Sequence, residues 1–546
     1  MNKKTKHLIF LFFGLLLLNF ANQKIYKRFD LTQDKRYTLS KITQDILTKI
    51  DQELLINVYL EGDFPSEFKR LQIETRQFLE ELNAENGQVV FQFIHPASQA
   101  EKLIKKGMNP SQLTVEEGGK LSEEIIFPWA EISYRNKKAI VNLLPNSLVR
   151  SQEEQLQNAV ENLEFSFLSA LRSILKKEKK KIAIITGNGQ LKDLYLYSFL
   201  SEISKKNSLA KFTLDSVASN PQKALQDLTK FDLAIIAKPT EKFTDQEKFA
   251  LDQFITHGGK SLWMIDQAQA DLDSLYNNGK MLAYPRDLNL TNLFFSYGIR
   301  INNLLIKDIY SAKISLATGN IGNKPQFQNL NWFFNPLVNG NPIHPITKNI
   351  LPVRLQFATQ IDTLKNNIKK TPLLVSSQFT QKVGLPNFIE LQDIAEEPIK
   401  EKYNSGYQAF AFLLEGDFNS AYKNRIKPFS TSLYRENAIA NKMIIISDGD
   451  IGKNQLLKGK PQDLSIDKWT SEEFGNKDFL LNAVDYLLDD EGLLTLRNKS
   501  LQINLLDKQK AFKERTFWQF INVGLPLTML FVFGILFNYL RKKKYA

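Results

Sequence analysis

The chain of 546 residues contains no cysteine. Thiol nucleophiles, disulfide bonds, cysteine-ligated zinc sites and iron–sulfur clusters all require a thiolate, so the sequence excludes each of them. Histidine is also scarce, and no two of the four histidines have the spacing of a metal-binding pair: His7, His95, His257 and His344. A G-x-S-x-G motif, which would indicate the nucleophile of a hydrolase, is missing as well. These absences predict a protein with no catalytic residue, no cofactor and no metal centre.

The nucleotide-binding motifs of the chain are incomplete. Residues 258–261 read GGKS, but a phosphate-binding loop needs a glycine at the position where this chain has Phe254. The pair Gly187 and Gly189 lacks the third glycine of a dinucleotide-binding fingerprint. The sequence therefore predicts that the chain is not itself an ATPase.

Long apolar runs are restricted to the two ends. Residues 517–540 carry no charge and are long enough to cross a hydrocarbon core of about 30 Å. Trp518 and Tyr539 stand at the two boundaries of this run, and Arg541 and Lys542 begin a basic tail that follows it. Interfacial aromatic residues and a positive cytoplasmic flank are typical of a transmembrane helix, so the C-terminus is predicted to be cytoplasmic.

The N-terminal run, residues 8–21, is shorter and follows three lysines. Its length suits either a cleaved signal peptide or an uncleaved anchor, and the lack of a clear small-x-small cleavage site favours the anchor. Either alternative places residues from about 25 to 515 outside the cytoplasm. Seven positive charges of the net +12 lie on the cytoplasmic ends, which leaves +5 for the exported part and gives no electrostatic basis for a nucleic-acid partner.

The exported part is predicted to be multidomain, with α+β and α/β units. A first unit contains a strand, an amphipathic helix and a second strand, followed by two further strands and a long helix. The predicted organisation is 1–24 N-terminal membrane anchor, 25–150 small α+β domain, 151–180 connecting helix, 181–290 doubly wound α/β domain, 291–515 remainder of the exported region, and 516–546 C-terminal transmembrane helix with its basic tail.

The second unit has the clearest pattern. Apolar runs at 182–186, 212–217, 233–238 and 261–265 alternate with helical segments, which predicts a doubly wound parallel sheet. Ligands bind such sheets beyond the carboxyl ends of the strands. The candidate contact residues are those that directly follow the first and fourth strands: Gly187, Asn188, Gly189, Gln190 and Asp266. The alternative is that these positions are simply turn residues.

The third unit is less regular, and its best strand candidate is 443–447. Asp448 and Asp450 follow this run as two carboxylates in one turn. They are candidates for contact with a cation or a partner, but further oxygen ligands at the spacing of a calcium loop are missing, so an ordinary turn is favoured.

Five segments, taken in order, resemble the GldG family, the gliding-motility-associated ABC transporter auxiliary proteins of the Bacteroidota. The segments are DLTQDKRYTLS (30–40), ITGNGQL (185–191), LDQFITHGGKSLWMID (251–266), IISDGDIGKNQ (445–455) and NKDFLLNAVDYLLDDEGL (476–493). The resemblance implies a substrate-binding-like subunit of the inner membrane, with a separate ATPase subunit and a permease subunit as partners. It also implies a glutamine-amidotransferase- or flavodoxin-like fold for the sheet, and it allows a homodimer.

One loop departs from the family pattern. Relatives commonly carry Gly-His-Gly-Glu after the first strand of the parallel sheet, whereas this chain has Asn188 and Gln190 at the two titratable positions. The departure argues against acid–base or metal chemistry at this loop.

The sequence therefore predicts a non-catalytic, membrane-anchored, periplasmic auxiliary subunit of an ABC transporter associated with gliding motility. The alternative function is an envelope hydrolase acting on a glycan or a peptide, because carboxylates can come together only in the folded chain.

Overall fold

A computed structural model describes residues 10, 12, 38–62, 64, 66–117, 120–144, 152–175, 178–322, 324–395, 397–437, 440–498 and 508–545. The predicted N-terminal anchor lies outside the described residues, apart from positions 10 and 12. The chain divides into two compact units, Met1–Lys499 and Ser500–Ala546.

The first unit begins with a small α+β domain. Its helices are α1 (Lys41–Leu47), α2 (Ser66–Glu85) and α3 (Ala100–Lys105), and its strands are β1 (Leu54–Val58), β2 (Val89–Phe93), β3 (Ser111–Glu117), β4 (Lys120–Ile126), β5 (Trp129–Tyr134) and β6 (Lys137–Asn142). Four of these strands form a sheet in the order β2-β1-β5-β6, and only β1 and β2 are parallel. The connection between β1 and β2 contains α2, which buries Phe68 and Leu71. Strands β3 and β4 form a separate hairpin.

Two consecutive helices, α4 (Gln152–Glu161) and α5 (Leu163–Leu175), connect this domain to the next. One face of α5 is buried through Leu163, Phe167, Leu168 and Leu171.

A ten-stranded sheet forms the centre of the first unit. Its parallel half contains β7 (Lys181–Thr186), β8 (Ser208–Thr213), β9 (Leu233–Ala237), β10 (Lys260–Met264) and β23 (Ala440–Ile446). The order in space is β8-β7-β9-β10-β23, and all four neighbouring pairs are parallel. Numbered along the chain, these five strands have the order 2-1-3-4-5.

Both faces of the parallel half are covered by helices, so its strands read as continuous apolar runs. One face packs against α6 (Asp193–Lys206) and α12 (Asn476–Leu487), through residues such as Ile182 and Ile184. The other face packs against α7 (Asp215–Ser219), α8 (Pro221–Leu228), α9 (Asp245–Thr256) and α11 (Thr291–Ser296), through residues such as Ala183 and Ile185.

The second strand of this sheet differs from the prediction of 212–217. Strand β8 ends at Thr213, and helix α7 takes up the rest of the predicted run. The hydroxyl of Thr213 donates to a carboxylate oxygen of Asp215 over 2.7 Å, and the hydroxyl of Ser216 donates to the Thr213 carbonyl. Such local side-chain bonds favour a turn over an extended strand. Val217 is buried, but it belongs to helix α7 and not to the strand.

The sheet continues across the predicted boundary between residues 290 and 291. Beyond β23 it adds β22 (Ala409–Asp417), β19 (Lys369–Val375), β16 (Lys324–Gly340) and β15 (Ser311–Ile321), and β17 (Val353–Arg354) pairs with β16. These additional pairings are antiparallel. The segments on the two sides of residue 290 therefore share one sheet.

The remaining elements of the first unit are short. They are α10 (Leu272–Asn278), β11 (Ala268–Gln269), β12 (Lys280–Pro285), β13 (Ile299–Ile301), β14 (Leu304–Asp308), β18 (Ile361–Thr363), β20 (Thr380–Gly384), β21 (Asn387–Glu390), β24 (Leu456–Leu457) and β25 (Lys460–Pro461).

The second unit is helical, with α13 (Lys508–Lys513), α14 (Arg515–Gln519) and α15 (Leu525–Tyr545). A π-helical turn, Phe520–Gly524, joins α14 to α15 and ends two residues before Pro526, which has no N–H to donate to a preceding carbonyl. The 30-residue stretch Arg515–Lys544 has a mean hydropathy of 2.2 over its most apolar window. Among the described residues, it is the one helix that is long and apolar enough to cross a membrane.

Candidate functional site

The carboxyl ends of the parallel strands bring together most of the predicted contact residues. Asn188 lies two residues after β7, and Asp266 lies two residues after β10. Asp448 lies two residues after β23, and Lys238 directly follows β9. Because these strands are parallel, all four loops lie at the same edge of the sheet.

The loop of Gly187, Asn188, Gly189 and Gln190 is braced by its own side chains and by its neighbours. The buried amide of Asn188 donates to a carboxylate oxygen of Glu247 over 3.1 Å. The Gln190 side-chain carbonyl accepts from the backbone N–H of Asn188 over 2.8 Å. The hydroxyl of Thr240 donates to the Gly189 carbonyl, and a Cβ added at Gly189 would lie 2.0 Å from that hydroxyl oxygen. These contacts give the loop an architectural role.

Three carboxylates and one lysine form a buried ion cluster at the same edge. The ammonium nitrogen of Lys238 lies 2.5 Å from Oδ2 of Asp450 and 3.2 Å from Oδ2 of Asp266. The other oxygen of Asp266 accepts from the backbone N–H of Gly449. Asp448 accepts from the backbone N–H of Gln356 over 2.6 Å and of Asp450 over 2.7 Å. We call Lys238, Asp266, Asp448 and Asp450 the ion cluster.

Burial and mutual repulsion perturb the acids of the ion cluster. Burial first, and then the negative charges of Asp266 and Asp450, raise the pKa of Asp448 well above the usual range of aspartate. Burial also raises the pKa of Asp266, although the charge of Lys238 acts in the opposite direction. The cluster therefore keeps a proton at pH values where an exposed aspartate has lost it.

The lysine is perturbed in the opposite sense. Burial opposes its charge, but the carboxylates of Asp266 and Asp450 outweigh burial and raise the pKa of Lys238 above its usual value. A folded-state pKa above the unfolded value stabilises the fold at any pH below the unfolded pKa, and the effect is lost only as pH rises through the folded pKa. Lys238 therefore stays charged and stabilising over the physiological range.

The geometry of the three acids also suits a metal ion. One carboxylate oxygen from each of Asp266, Asp448 and Asp450 lies within 4.8 Å of the other two, which is the arrangement that hard divalent cations require. Two of the three carboxylates already contact the ammonium of Lys238. The chain thus supplies its own cation, and the cluster fits a structural role at the ends of β9, β10 and β23.

The described histidines bond to backbone groups. Nδ1 of His257 lies 2.7 Å from the Gln253 carbonyl, and Nδ1 of His344 accepts from the N–H of Ile346 over 3.3 Å. Nδ1 of His95 accepts from the N–H of Ala97 over 3.4 Å. These contacts orient the rings within turns and helix ends, as structural histidines do.

The described residues of the first unit also line several cavities. One, of about 180 Å³, is lined by Gln267, Arg286 and Arg300 among others. A larger one, of about 1430 Å³, lies between strand β6, helix α5 and residues 485–494.

The predicted membrane-boundary residues lie on the apolar helix of the second unit. The indole N–H of Trp518 donates to a carboxylate oxygen of Glu514 over 3.1 Å, and Tyr539 is exposed. Arg541 and Lys542 follow on the last turns of α15, where their positive charge complements the helix dipole.

Comparison with known proteins places this fold in a family. A family model described as an ABC-type uncharacterized transport system matches residues 179–483, which is more than half of the chain. The chain belongs to this family. A second model, described only as a domain of unknown function, matches residues 33–133 and thus most of the small α+β domain.

Similar proteins add little to this membership in the ABC-type transport family. An uncharacterized protein of Borreliella burgdorferi is 21% identical over 547 residues, covering 97% of this chain and 96% of that protein. A solved structure titled mmIFT52 N-terminal domain is 12% identical, with a TM-score of 0.31, and covers 60% of this chain and 100% of its own. A TM-score at that level does not establish a common fold.

The ion cluster lies wholly within the part of the chain that matches the ABC-type transport family. The sequence pattern indicated the three aspartates of the ion cluster separately, but it did not indicate Lys238. It also did not indicate Glu247, which holds the loop of Asn188 outside the cluster. The sequence position of Lys238 could have indicated it. The residue directly follows a buried strand of the parallel sheet, where ligand-contacting residues commonly lie. Glu247 stands three residues after Thr244, a spacing typical of a capping box, and that explains one of its two contacts.

Proposed function

We propose that this chain is a non-catalytic auxiliary subunit of an ABC transporter, which works with a separate permease and a separate ATPase chain. The observation that carries the proposal is the family match over residues 179–483. The incomplete phosphate-binding loop at Phe254 supports it, because the energy of transport then has to come from another chain.

The proposed location is the bacterial inner membrane, with the bulk of the chain in the periplasm and both termini in the cytoplasm. The apolar helix Arg515–Lys544 supports a membrane span. Its basic C-terminal flank supports the orientation, because positive residues are retained on the cytoplasmic side. Within the exported part, we propose that the 2-1-3-4-5 parallel sheet is a doubly wound, flavodoxin-like domain.

The finer proposal concerns the cellular system. We propose that the transporter serves gliding motility in a member of the Bacteroidota, on the strength of the five ordered segments that resemble the GldG family. A homodimer suits a two-fold permease, since closed two-fold assemblies are the commonest symmetric oligomers.

One observation bears on the alternative of an envelope hydrolase. Asp266, Asp448 and Asp450 do come together, as a hydrolase would require. Asp448 is fully buried, and Lys238 contacts both Asp266 and Asp450. A general acid and base must reach substrate, so this arrangement favours the non-catalytic role.

The test is affinity purification of the tagged chain from its native membrane in mild detergent, followed by mass spectrometry. The proposal predicts a permease and an ATPase in fixed ratio with the chain. The control is a variant that ends after Lys499 and thus lacks the apolar helix, which should retain far less permease. Recovery of the full-length chain with neither partner would overturn the proposal.

A further inference from the structure

The cavity of about 1430 Å³ lies where three parts of the first unit meet. Strand β6 of the small α+β domain forms one wall, and the connecting helix α5 forms another. The C-terminal end of α6 and the segment from Asp485 to Leu494 close the remaining sides. Ligand pockets commonly form between domains, and this volume exceeds the usual range of about 300–1,000 Å³ for small-molecule sites.

Positive charge dominates the polar part of this wall. Seven lysine and arginine side chains line the cavity, against four aspartate and glutamate side chains. Three of these cations form ion pairs with acids: Arg172 with Asp489, Lys205 with Glu202 and Lys206 with Asp485. Lys106 and Lys138 both contact the single carboxylate of Glu131, which leaves that group with a net positive charge. The ammonium of Lys179 donates to the carbonyl of Lys205 rather than to an acid. An anionic ligand group would find complementary charge here.

The rest of the wall is apolar. Val141, Ile174 and Leu494 are buried beneath the cavity, and Ile140 presents 40% of its surface. Phe165 lies on the facing helix α5. A small inorganic anion gains nothing from such a surface, whereas a hydrocarbon chain gains free energy in proportion to the apolar area that it buries. The combination of walls therefore suits a ligand with an anionic head and an apolar body.

The cavity lies near Ser40, close to the start of the continuously described chain, and near residues 485–494, which precede the end of the first unit at Lys499. The backbone N–H of Ser40 donates over 2.9 Å to Glu164, which lies on the cavity-lining helix α5. Near the other end, Lys49 contacts Glu491 over 2.9 Å, next to the lining residue Leu493. The predicted anchor ends at residue 24, so about 15 residues, or at most roughly 50 Å, connect it to Ser40. Ser40 therefore lies no farther than this from the membrane surface at the predicted anchor.

We propose that this cavity binds a lipid with an anionic headgroup, the headgroup at Lys137 and Lys179 and the hydrocarbon chain against Ile140 and Phe165. The proposal names a ligand class for the transporter subunit and so rests on the function proposed above. The ligand is drawn from the membrane that anchors the chain.

Binding by the purified full-length chain in mild detergent tests this directly. Native mass spectrometry would count bound lipid after addition of dioleoyl phosphatidylglycerol, of dioleoyl phosphatidylcholine with the same chains, or of inorganic phosphate. We expect at least tenfold tighter binding of the anionic lipid than of the zwitterionic one. Inorganic phosphate at the same concentration should not displace it.

Two variants locate the site. The double variant Lys137→Glu with Lys179→Glu should weaken anionic-lipid binding at least tenfold, and Ile140→Asp should weaken it through the apolar wall. The matched controls are Lys400→Glu with Lys402→Glu, and Ile343→Asp, which change exposed residues outside the cavity lining. Circular dichroism and the unfolding temperature would show that each variant folds.

The outcomes separate the alternatives. Equal binding of the two lipids, or unchanged binding by the cavity variants, overturns the proposal. Displacement of the lipid by inorganic phosphate would show a site for a free anion and would also overturn it. Because binding is measured on the isolated chain, a negative result leaves the recovery of permease and ATPase as an independent test of the transporter function.

Discussion

Lys238 compensates the negative charge of the ion cluster. Its backbone adopts a left-handed conformation with φ of 51°, which is unusual for a lysine. Lys238 directly follows β9, and its ammonium contacts Asp266 and Asp450. Buried carboxylates without a counter-charge are strongly unfavourable, so the cluster depends on this one side chain.

Replacement of that side chain by an uncharged one of similar length is expected to be costly. Lys238→Met should lower the free energy of unfolding by about 3–5 kcal/mol at pH 7, because it leaves buried acids unpaired. The loss should shrink as pH falls, since the raised pKa values of Asp266 and Asp448 allow these acids to take up protons. Urea denaturation at several pH values would measure both effects.

The control is Lys242→Met, which removes an ion pair to Asp287 with a separation of 2.6 Å at the surface. Exposed ion pairs contribute about 0–1 kcal/mol, so this variant should be nearly neutral. Equal losses in the two lysine variants would show that the ion cluster is not a buried, coupled unit.

His344 gives a second pH-dependent prediction. Burial lowers its pKa to about 4, with Glu415 acting in the opposite direction. A lowered folded-state pKa means that stability is present above the unfolded pKa of histidine and is lost as pH falls through the folded pKa. Acidification from about pH 6.5 to 4 should therefore destabilise the protein.

The variant His344→Asn should reduce that acid sensitivity, because asparagine keeps an acceptor for the Ile346 N–H but does not titrate over this range. Thermal unfolding followed by circular dichroism between pH 7 and pH 4 would measure it. A variant whose unfolding temperature falls as steeply with pH as that of the original chain would refute the assignment.

The residues of the candidate site were partly predictable. Asp266, Asp448 and Asp450 each follow an apolar run. They are therefore candidate contact residues, because ligands bind beyond the carboxyl ends of parallel strands. Their mutual proximity was not predictable, because it depends on β23 pairing with β10 across more than 170 residues of chain. Sequence spacing alone favoured an ordinary turn at Asp448. It could not show that this turn is also part of the buried ion cluster.

At the scale of elements, helix α9 connects the loop of Asn188 to the rest of the sheet edge. Thr244 and Glu247 form a reciprocal capping box at its start. Glu247 also accepts from the buried Asn188 amide. The same carboxylate thus caps the helix and holds the loop.

The two roles make different predictions for the two capping residues. Thr244→Ala should cost about 1 kcal/mol of stability, as the loss of a helix cap does. Glu247→Ala should cost about 1–3 kcal/mol more, because it also leaves the Asn188 amide buried without its partner. Urea midpoints would measure both, and hydrogen exchange should show faster opening of residues 187–190 in Glu247→Ala alone. Equal costs would mean that the Asn188 contact contributes nothing.

Continuous apolar runs were the most predictable elements. The runs at 182–186, 233–238 and 261–265 lie in neighbouring parallel strands, where burial on both faces produces such runs. The run at 212–217 was misleading because its last residues belong to a short helix, in which Val217 is buried. The long strand β16 contains six asparagine and glutamine residues among its 17 residues and shows little alternation of apolar and polar side chains, so its sequence did not identify it as a strand.

For the whole molecule, the absence of cysteine makes the proposed topology testable. Single substitutions Lys4→Cys, Ser274→Cys and Lys544→Cys each introduce one thiol into a chain that has none. A membrane-impermeant maleimide applied to spheroplasts should label Cys at position 274, and should label positions 4 and 544 only after lysis. Labelling of position 4 before lysis would place the N-terminus outside and contradict the uncleaved, inward-facing anchor.

The proposed function requires this chain to lie beside a permease in the membrane. A photo-reactive phenylalanine analogue in place of Phe531, an exposed residue of the apolar helix, tests it without detergent. Irradiation of native membranes should give a product that contains this chain and a multi-span permease, identified by mass spectrometry. The same analogue at Phe388, an exposed residue of the first unit, serves as the control. Products at Phe531 that contain lipid or this chain alone would contradict the account.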